Sequence, residues 1–245
     1  NRSLRRQKMT ILTGTRVTGV DISGEGVTVV ATASRGEQAV TADAVIVAIG
    51  IKPNTENLGL EAAGINPNGG FIPVDAFGRT TTPGIFAIGD VTGPPFLAHK
   101  ASAQALACID FIAGLNPVPV RMDHIPGCTY CNPQVASVGL TEAAARIRGI
   151  DAITGTFPFR ANGRSIAMNE SEGIVKLVFD RADRNRFVGA HILHAMASEL
   201  IAELGLALTV GATATDIVHT VHAHPTLSEA VMEAAEDALG RPIHK

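Results

Sequence analysis

The sequence has no tryptophan, one tyrosine and three cysteines among its 245 residues. A small, odd number of thiols argues against a secreted disulfide framework and for a reducing compartment, so a cytoplasmic location is expected. Neither sign of charge dominates: 20 Lys and Arg against 23 Asp and Glu leave −3. Such a balance does not suit nucleic acid or an anionic membrane as partner. No apolar run reaches bilayer-spanning length, because the longest candidate, 97–115, is broken by His99, Lys100, Gln104 and Asp110. There is no Gly-x-Gly-x-x-Gly and no Walker-type loop, hence no dinucleotide or P-loop fingerprint. No export signal opens the chain, and its first residue is Asn1 rather than Met. No internal repeat or low-complexity segment occurs. What is present is a globular composition, 46% hydrophobic and 18% charged, long enough for one large or two modest domains.

Residues 10–50 read as β-structure. Stretches 10–20, 27–33 and 38–42 are rich in Val, Ile and Thr, with the turn signal Ser23-Gly24-Glu25-Gly26 between the first two. The continuous apolar run Ala44-Val45-Ile46-Val47-Ala48-Ile49, ending at Gly50, suits a strand buried on both faces. Residues 55–80 are loop-rich, and Gly84-Ile85-Phe86-Ala87-Ile88-Gly89-Asp90 reads as another short strand. Helical spacing follows over 97–115, with Gly114 near its C-cap. Asn116-Pro117-Val118-Pro119 is a linker candidate. Beyond it, strands are expected at 135–140, 152–159, 173–180 and 187–193. Helices are expected at 141–148, with Thr141 as N-cap, and at 195–208 and 226–239. Strands in a run with flanking helices predict an α+β domain with an antiparallel sheet.

Three constellations could carry chemistry. Gly89-Asp90 ends an expected strand, where a carboxylate can accept hydrogen bonds from ligand hydroxyls and a following helix can aim its amides at a phosphate or flavin carbonyl. A turn aspartate capping the next segment is the simpler reading. His222-Ala223-His224-Pro225-Thr226-Leu227-Ser228-Glu229 places an imidazole at a helix mouth with a carboxylate five residues on, a general acid–base arrangement. The same residues also read as a capping box, with Glu229 reaching back to the N-cap amide. Cys128-Thr129-Tyr130-Cys131 has the spacing of a redox dithiol or half a zinc site, but Asn132-Pro133 follows and no ligand set accompanies it. Two incidental cysteines and no metal are expected. Phe159-Arg160-Ala161-Asn162-Gly163-Arg164 is basic and reads as an ordinary solvated loop.

Taken in order, six segments resemble the C-terminal half of the flavin-dependent pyridine nucleotide–disulfide oxidoreductases, and among them the dihydrolipoamide dehydrogenases. They are Ile11-Leu12-Thr13-Gly14-Thr15-Arg16-Val17-Thr18-Gly19-Val20, the run from Ala42 to Gly50, and Thr82-Pro83-Gly84-Ile85-Phe86-Ala87-Ile88-Gly89-Asp90. Leu97-Ala98-His99-Lys100-Ala101, Val135-Ala136-Ser137-Val138-Gly139-Leu140-Thr141-Glu142 and the His222–Glu229 segment complete the set. The resemblance implies that Asp90 holds the ribityl chain of FAD and that Phe96, Leu97, Ala98 and His99 line its isoalloxazine ring. It implies that Val17 and Gly50 contact NAD. It further implies that His224 is the catalytic base with Glu229 as its partner, acting in the active site of the opposite subunit of a homodimer. The implied organisation is a remnant of an NAD-binding domain at 1–52, a central FAD-contacting domain at 53–120 and a dimerisation domain at 121–245. The implied reaction is reoxidation of dihydrolipoyl groups on the acyltransferase of a 2-oxo acid dehydrogenase complex, with reduction of NAD.

The departures from the family pattern are specific. The redox Cys-x4-Cys pair and both Gly-x-Gly-x-x-Gly fingerprints are absent, Ile51 stands where the family often has Arg, and His194-Ala195 replaces a usual Gly-Pro. With the missing initiator Met, these predict a longer parent protein and no turnover by these 245 residues alone. Two other readings stand beside this one. The chain could be a non-enzymatic module that dimerises and docks an acyltransferase, or part of a related glutathione or mercuric reductase.

Overall fold

The computed structural model describes residues 1–245, which fall into two compact units, Asn1–Lys52 and Pro53–Lys245. In the first, a one-turn helix α1 (Arg2–Arg6) precedes an antiparallel meander of β1 (Arg16–Asp21), β2 (Val27–Ala33) and β3 (Gly36–Ala42). The β1–β2 turn needs glycine at position 26, where φ is +82° and a Cβ would lie 2.7 Å from the Ala42 carbonyl oxygen. Residues 44–49, expected as a buried strand, form none, and Ile46 and Ile49 are 90% and 94% exposed. A strand buried on both faces needs neighbours at its edges and layers above and below. The three-stranded meander supplies neither.

The second unit opens with turns rather than strands. In this opening stretch Ile65 and Ile72 are buried, and Thr82 Oγ1 donates to the Ala63 carbonyl. The expected strand at 84–90 is reduced to one bridge, Arg79 with Phe86, followed by a single 3-10 turn over Gly89–Thr92. The bridge carries two bonds, from the Thr80 amide to the Ile85 carbonyl and from the Ala87 amide to the Gly78 carbonyl, and the next inward amide, Gly89, donates to Gln104 Oε1 instead. No continuous ladder remains. Helix α2 (Ala98–Ile112) follows, anchored by Phe111 stacked on Phe77 at 5.0 Å.

Beyond residue 120 the expected α+β domain is present. Strands β4 (Gly127–Thr129), β5 (Gln134–Gly139), β6 (Ala152–Pro158), β7 (Ile174–Asp180) and β8 (Arg186–His194) form one antiparallel sheet in the order β4-β5-β8-β7-β6. Short helices α3 (Glu142–Ile147) and α4 (Gly163–Ala167) sit in the connections. Helix α5 (Ala197–Val210) packs on β5 and β8. After α6 (Ala214–His219), helix α7 (Glu229–Ala238) packs on β6 and β7. The core between sheet and helices holds Phe157, Phe159, Phe179 and Phe187, each contributing about 1.5–3 kcal/mol by burial. Gly155 lets α7 lie directly on β6, since a Cβ there would sit 1.9 Å from the Ala234 carbonyl oxygen. Asp237 Oδ2 accepts from the Thr156 amide at 2.8 Å and fixes the helix along its axis.

Segment 159–164 corrects the solvated-loop expectation. Phe159 is fully buried against the His194 ring, 4.0 Å between centroids, and Asn162 is 4% exposed. The apolar Phe159 and the capping use of Asn162, whose Oδ1 accepts from the Ser165 amide, outweigh the two arginines.

Candidate active site

The first cluster is the turn at Gly89–Thr92 with the start of α2. Lys100, fully buried, donates from Nζ to the carbonyls of Gly89 (3.0 Å) and Gly93 (2.6 Å), closing the turn from inside. Burial pushes its ammonium pKa down, and the charge of Asp90 opposes that shift. The Asp90 carboxylate is exposed and takes no hydrogen bond from the protein. The first amides of α2 have no side-chain cap, and Leu97 at the N-cap is extended. Phe96, 37% exposed, stacks on Phe71 at 5.8 Å. Gly93, with φ +107°, leaves open space where a side chain would stand. A free carboxylate, uncapped helix amides and bare backbone fit a ligand that offers hydroxyls and a polar ring, as a flavin does. His99 is engaged elsewhere in part: its Nε2 lies 2.7 Å from the Pro126 carbonyl oxygen.

The second cluster is at the mouth of α7. His224 Nδ1 lies 2.8 Å from Glu229 Oε1, while Glu229 Oε2 accepts from the Thr226 amide at 2.8 Å. One Glu229 oxygen takes the Thr226 amide and the other holds the imidazole. The expected capping box at Thr226 is not formed: α7 begins at Glu229 with Ser228 as its N-cap, and Thr226 Oγ1 donates to the Ala223 carbonyl. Burial works to raise the Glu229 carboxyl. The Thr226 amide, the hydrogen bond from His224 and the charges of His224 and His244 outweigh it and hold the group below the usual range. Glu229 is therefore an anion at neutral pH. In the neutral ring an anion at Nδ1 holds the proton there and leaves Nε2 as the acceptor nitrogen, on a side chain 81% exposed.

Asn162 Nδ2 donates to the Thr226 carbonyl at 3.0 Å, which ties the segment to the sheet. Phe157, Gly163, Met232, Glu233 and His244 complete a shallow pocket around the pair. Asn162 was missed because its role depends on a contact 64 residues away; an Asn before Gly at a helix start was the one available signal.

No hydrogen bond joins the Asp90 cluster to the His224 pair. Val17 and Gly50 belong to the other unit. Val17 is 57% exposed on β1, and Gly50, with φ +128°, has nothing within 4 Å of a would-be Cβ. Exposed apolar surface and bare backbone suit a ligand passing close, although no phosphate-binding loop accompanies them. Cys128 and Cys131 are free thiols, and burial together with the charge of Glu199 raises Cys128, opposite to what a reactive thiolate needs. No group of three or more His, Cys, Asp or Glu side chains is placed to hold a metal ion.

The fold matches solved structures. LpdA from Mycobacterium tuberculosis superposes with a TM-score of 0.87 at 29% identity, over 96% of this chain and 50% of that one. The HOCl-induced flavoprotein disulfide reductase RclA from Escherichia coli gives 0.84 at 28% identity, over 96% and 53%. The architecture is thus of the flavoprotein disulfide reductase class. The model for the pyridine nucleotide–disulphide oxidoreductases matches residues 1–105, and that for their dimerisation domain matches residues 125–235. The chain belongs to the pyridine nucleotide–disulphide oxidoreductase family. Curated relatives named dihydrolipoyl dehydrogenase include those of Rhizobium etli, 44% identical over 99% of this chain and 51% of that protein, and Geobacillus stearothermophilus, 46% identical over 98% and 51%. The chain spans about half the length of the curated relatives it matches.

Proposed function

We propose that these residues are the C-terminal part of a dihydrolipoyl dehydrogenase, which oxidises dihydrolipoyl groups and reduces NAD. The observation that carries the reading is the His224–Glu229 pair, oriented with a free Nε2 at an exposed helix mouth. His224 takes the proton from the substrate thiol, and thiol becomes the nucleophilic thiolate. Glu229 holds the ring in the productive tautomer and stabilises the imidazolium that forms. Asp90 would hold the hydroxyls of a bound FAD, and the α2 amides would lie toward its ring system. When bound, FAD supplies the two-electron step between substrate dithiol and NAD.

A matched dimerisation domain supports a homodimer, in which His224 serves the opposite subunit's active site. The domain boundaries near residues 52 and 120, the flavin contacts of 96–99 and the NAD contacts of Val17 and Gly50 belong to the same proposal. So do the acyltransferase of a 2-oxo acid dehydrogenase complex as partner and a cytoplasmic location. No helix is long and apolar enough to cross a membrane.

The test is NAD reduction driven by dihydrolipoamide. The full-length protein loaded with FAD is expected to turn over and the 245-residue chain, which lacks a Cys-x4-Cys pair, is not. A full-length protein that reduces glutathione disulfide or mercuric ion but ignores dihydrolipoamide overturns the assignment.

A further inference from the structure

We propose that His222, held as an imidazolium by Glu203 and the Thr220 carbonyl, is the positioning residue that fixes the backbone carrying His224. The proposal rests on the function assigned above to His224. His222 Nδ1 lies 2.8 Å from the Thr220 carbonyl oxygen, and Nε2 lies 2.8 Å from Glu203 Oε1. Both partners are acceptors, so both ring nitrogens carry protons and the ring is cationic. Its side chain is 4% exposed.

On the α6 side of His224 no other side chain ties the segment to the rest of the fold; beyond it, Asn162 holds the Thr226 carbonyl, and Glu229 holds the His224 ring and the Thr226 amide. Val221, Ala223, His224 and Pro225 are all exposed, and no amide from Val221 to His224 donates to the protein. Thr220 ends α6 and Glu203 lies in the middle of α5, so the ring ties two helices together two residues before the base. The charge of Glu229 also acts on His222, which places the cation close enough to feel the carboxylate that orients His224. A buried cation is costly unless paired and hydrogen-bonded at both ends. This one is, and its removal frees the chain that aims Nε2.

Two variants and two readouts test this. His222→Gln removes the ring. Glu203→Gln, at a half-exposed position, removes only the charge of its partner. In the full-length holoenzyme, both variants are expected to lower kcat for dihydrolipoamide by on the order of tenfold or more, while the NADH–ferricyanide rate, which does not use His224, is unchanged. Glu203→Asp is expected to recover part of the loss. In ring-nitrogen NMR of the chain, wild-type His222 should show two protonated nitrogens at pH 7, and His224 should be the Nδ1–H tautomer. In either variant the His224 tautomer preference should weaken. Unchanged kcat with only a lowered melting temperature, or a single-protonated His222 with His224 unaltered in both variants, overturns the proposal. If the wild-type holoenzyme ignores dihydrolipoamide, the functional reading fails, and the NMR readout still decides whether His222 positions His224.

Discussion

Substituting Glu229→Gln separates the two duties of this carboxylate. In the native side chain Oε2 accepts from the Thr226 amide and Oε1 from His224 Nδ1, both at 2.8 Å. A carboxamide has one acceptor oxygen and an NH2 that can only donate. One of the two donors must therefore lose its partner. Losing one hydrogen bond to a charged acceptor costs about 1.5–3 kcal/mol, reduced here because water reaches the His224 end. About 1 kcal/mol of stability is expected to go, a fall in melting temperature of about 2–4 °C for a unit of this size. The catalytic cost is larger. Without an anion at Nδ1 the imidazole loses its tautomer preference and the stabilisation of its cation, and a well-placed acid–base group is worth about 10²–10⁴ in rate. The assay is stopped-flow flavin reduction by dihydrolipoamide in the full-length protein, beside thermal unfolding. A Glu229→Gln protein with native reduction rate and native stability refutes the reasoning, and one that loses only stability leaves Glu229 as a cap.

Other perturbations separate the remaining elements. Lys100→Met leaves the carbonyls of Gly89 and Gly93 without their donor, and relief of a buried charge offsets part of that cost. A loss of about 2 kcal/mol in urea unfolding is expected. Asp90→Ala should change melting little, since the carboxylate takes no hydrogen bond from the protein and only its charge acts on Lys100, but should lower FAD retained through gel filtration of the full-length protein; undiminished flavin would remove Asp90 from the site. His194 is fully buried, accepts from the Met196 amide at Nδ1 and donates from Nε2 to the Glu170 carbonyl, so it is neutral. Burial lowers its pKa despite the hydrogen bond to Glu170. Its folded-state pKa lies below the unfolded value of about 6.5, so the stability it gives is present above that pH and lost as pH falls through the folded value. Urea unfolding at stepped pH should show that loss, and His194→Gln should flatten it.

The sequence carried the dimerisation sheet well because its strands alternate or run apolar and all their antiparallel neighbours, including the distant β5–β8 pair, lie within this chain. It failed at 44–49 and 84–90, where β-type residues lack a ladder partner among these residues and composition alone cannot supply one. The His224–Glu229 pair was legible because both groups sit within one turn of a helix start. The choice between cap and dyad was not, since it depends on where each carboxylate oxygen points. Asn162, Lys100 and Glu203 were hidden for a different reason. Their partners lie across the fold or inside a turn, and no local spacing signals a buried ammonium satisfied by two carbonyls. The close seat of α7 on Gly155, by contrast, follows only once the sheet is in place, because a glycine in a strand does not say what approaches it.

The central claim is that His224 is the base for dihydrolipoyl oxidation. The most direct test is His224→Gln in the full-length flavoprotein, measured by flavin reduction with dihydrolipoamide and, separately, with NADH. The account predicts a loss of at least about 10²-fold with the dithiol and a native rate with NADH. Equal rates with both reductants in variant and native protein would contradict it.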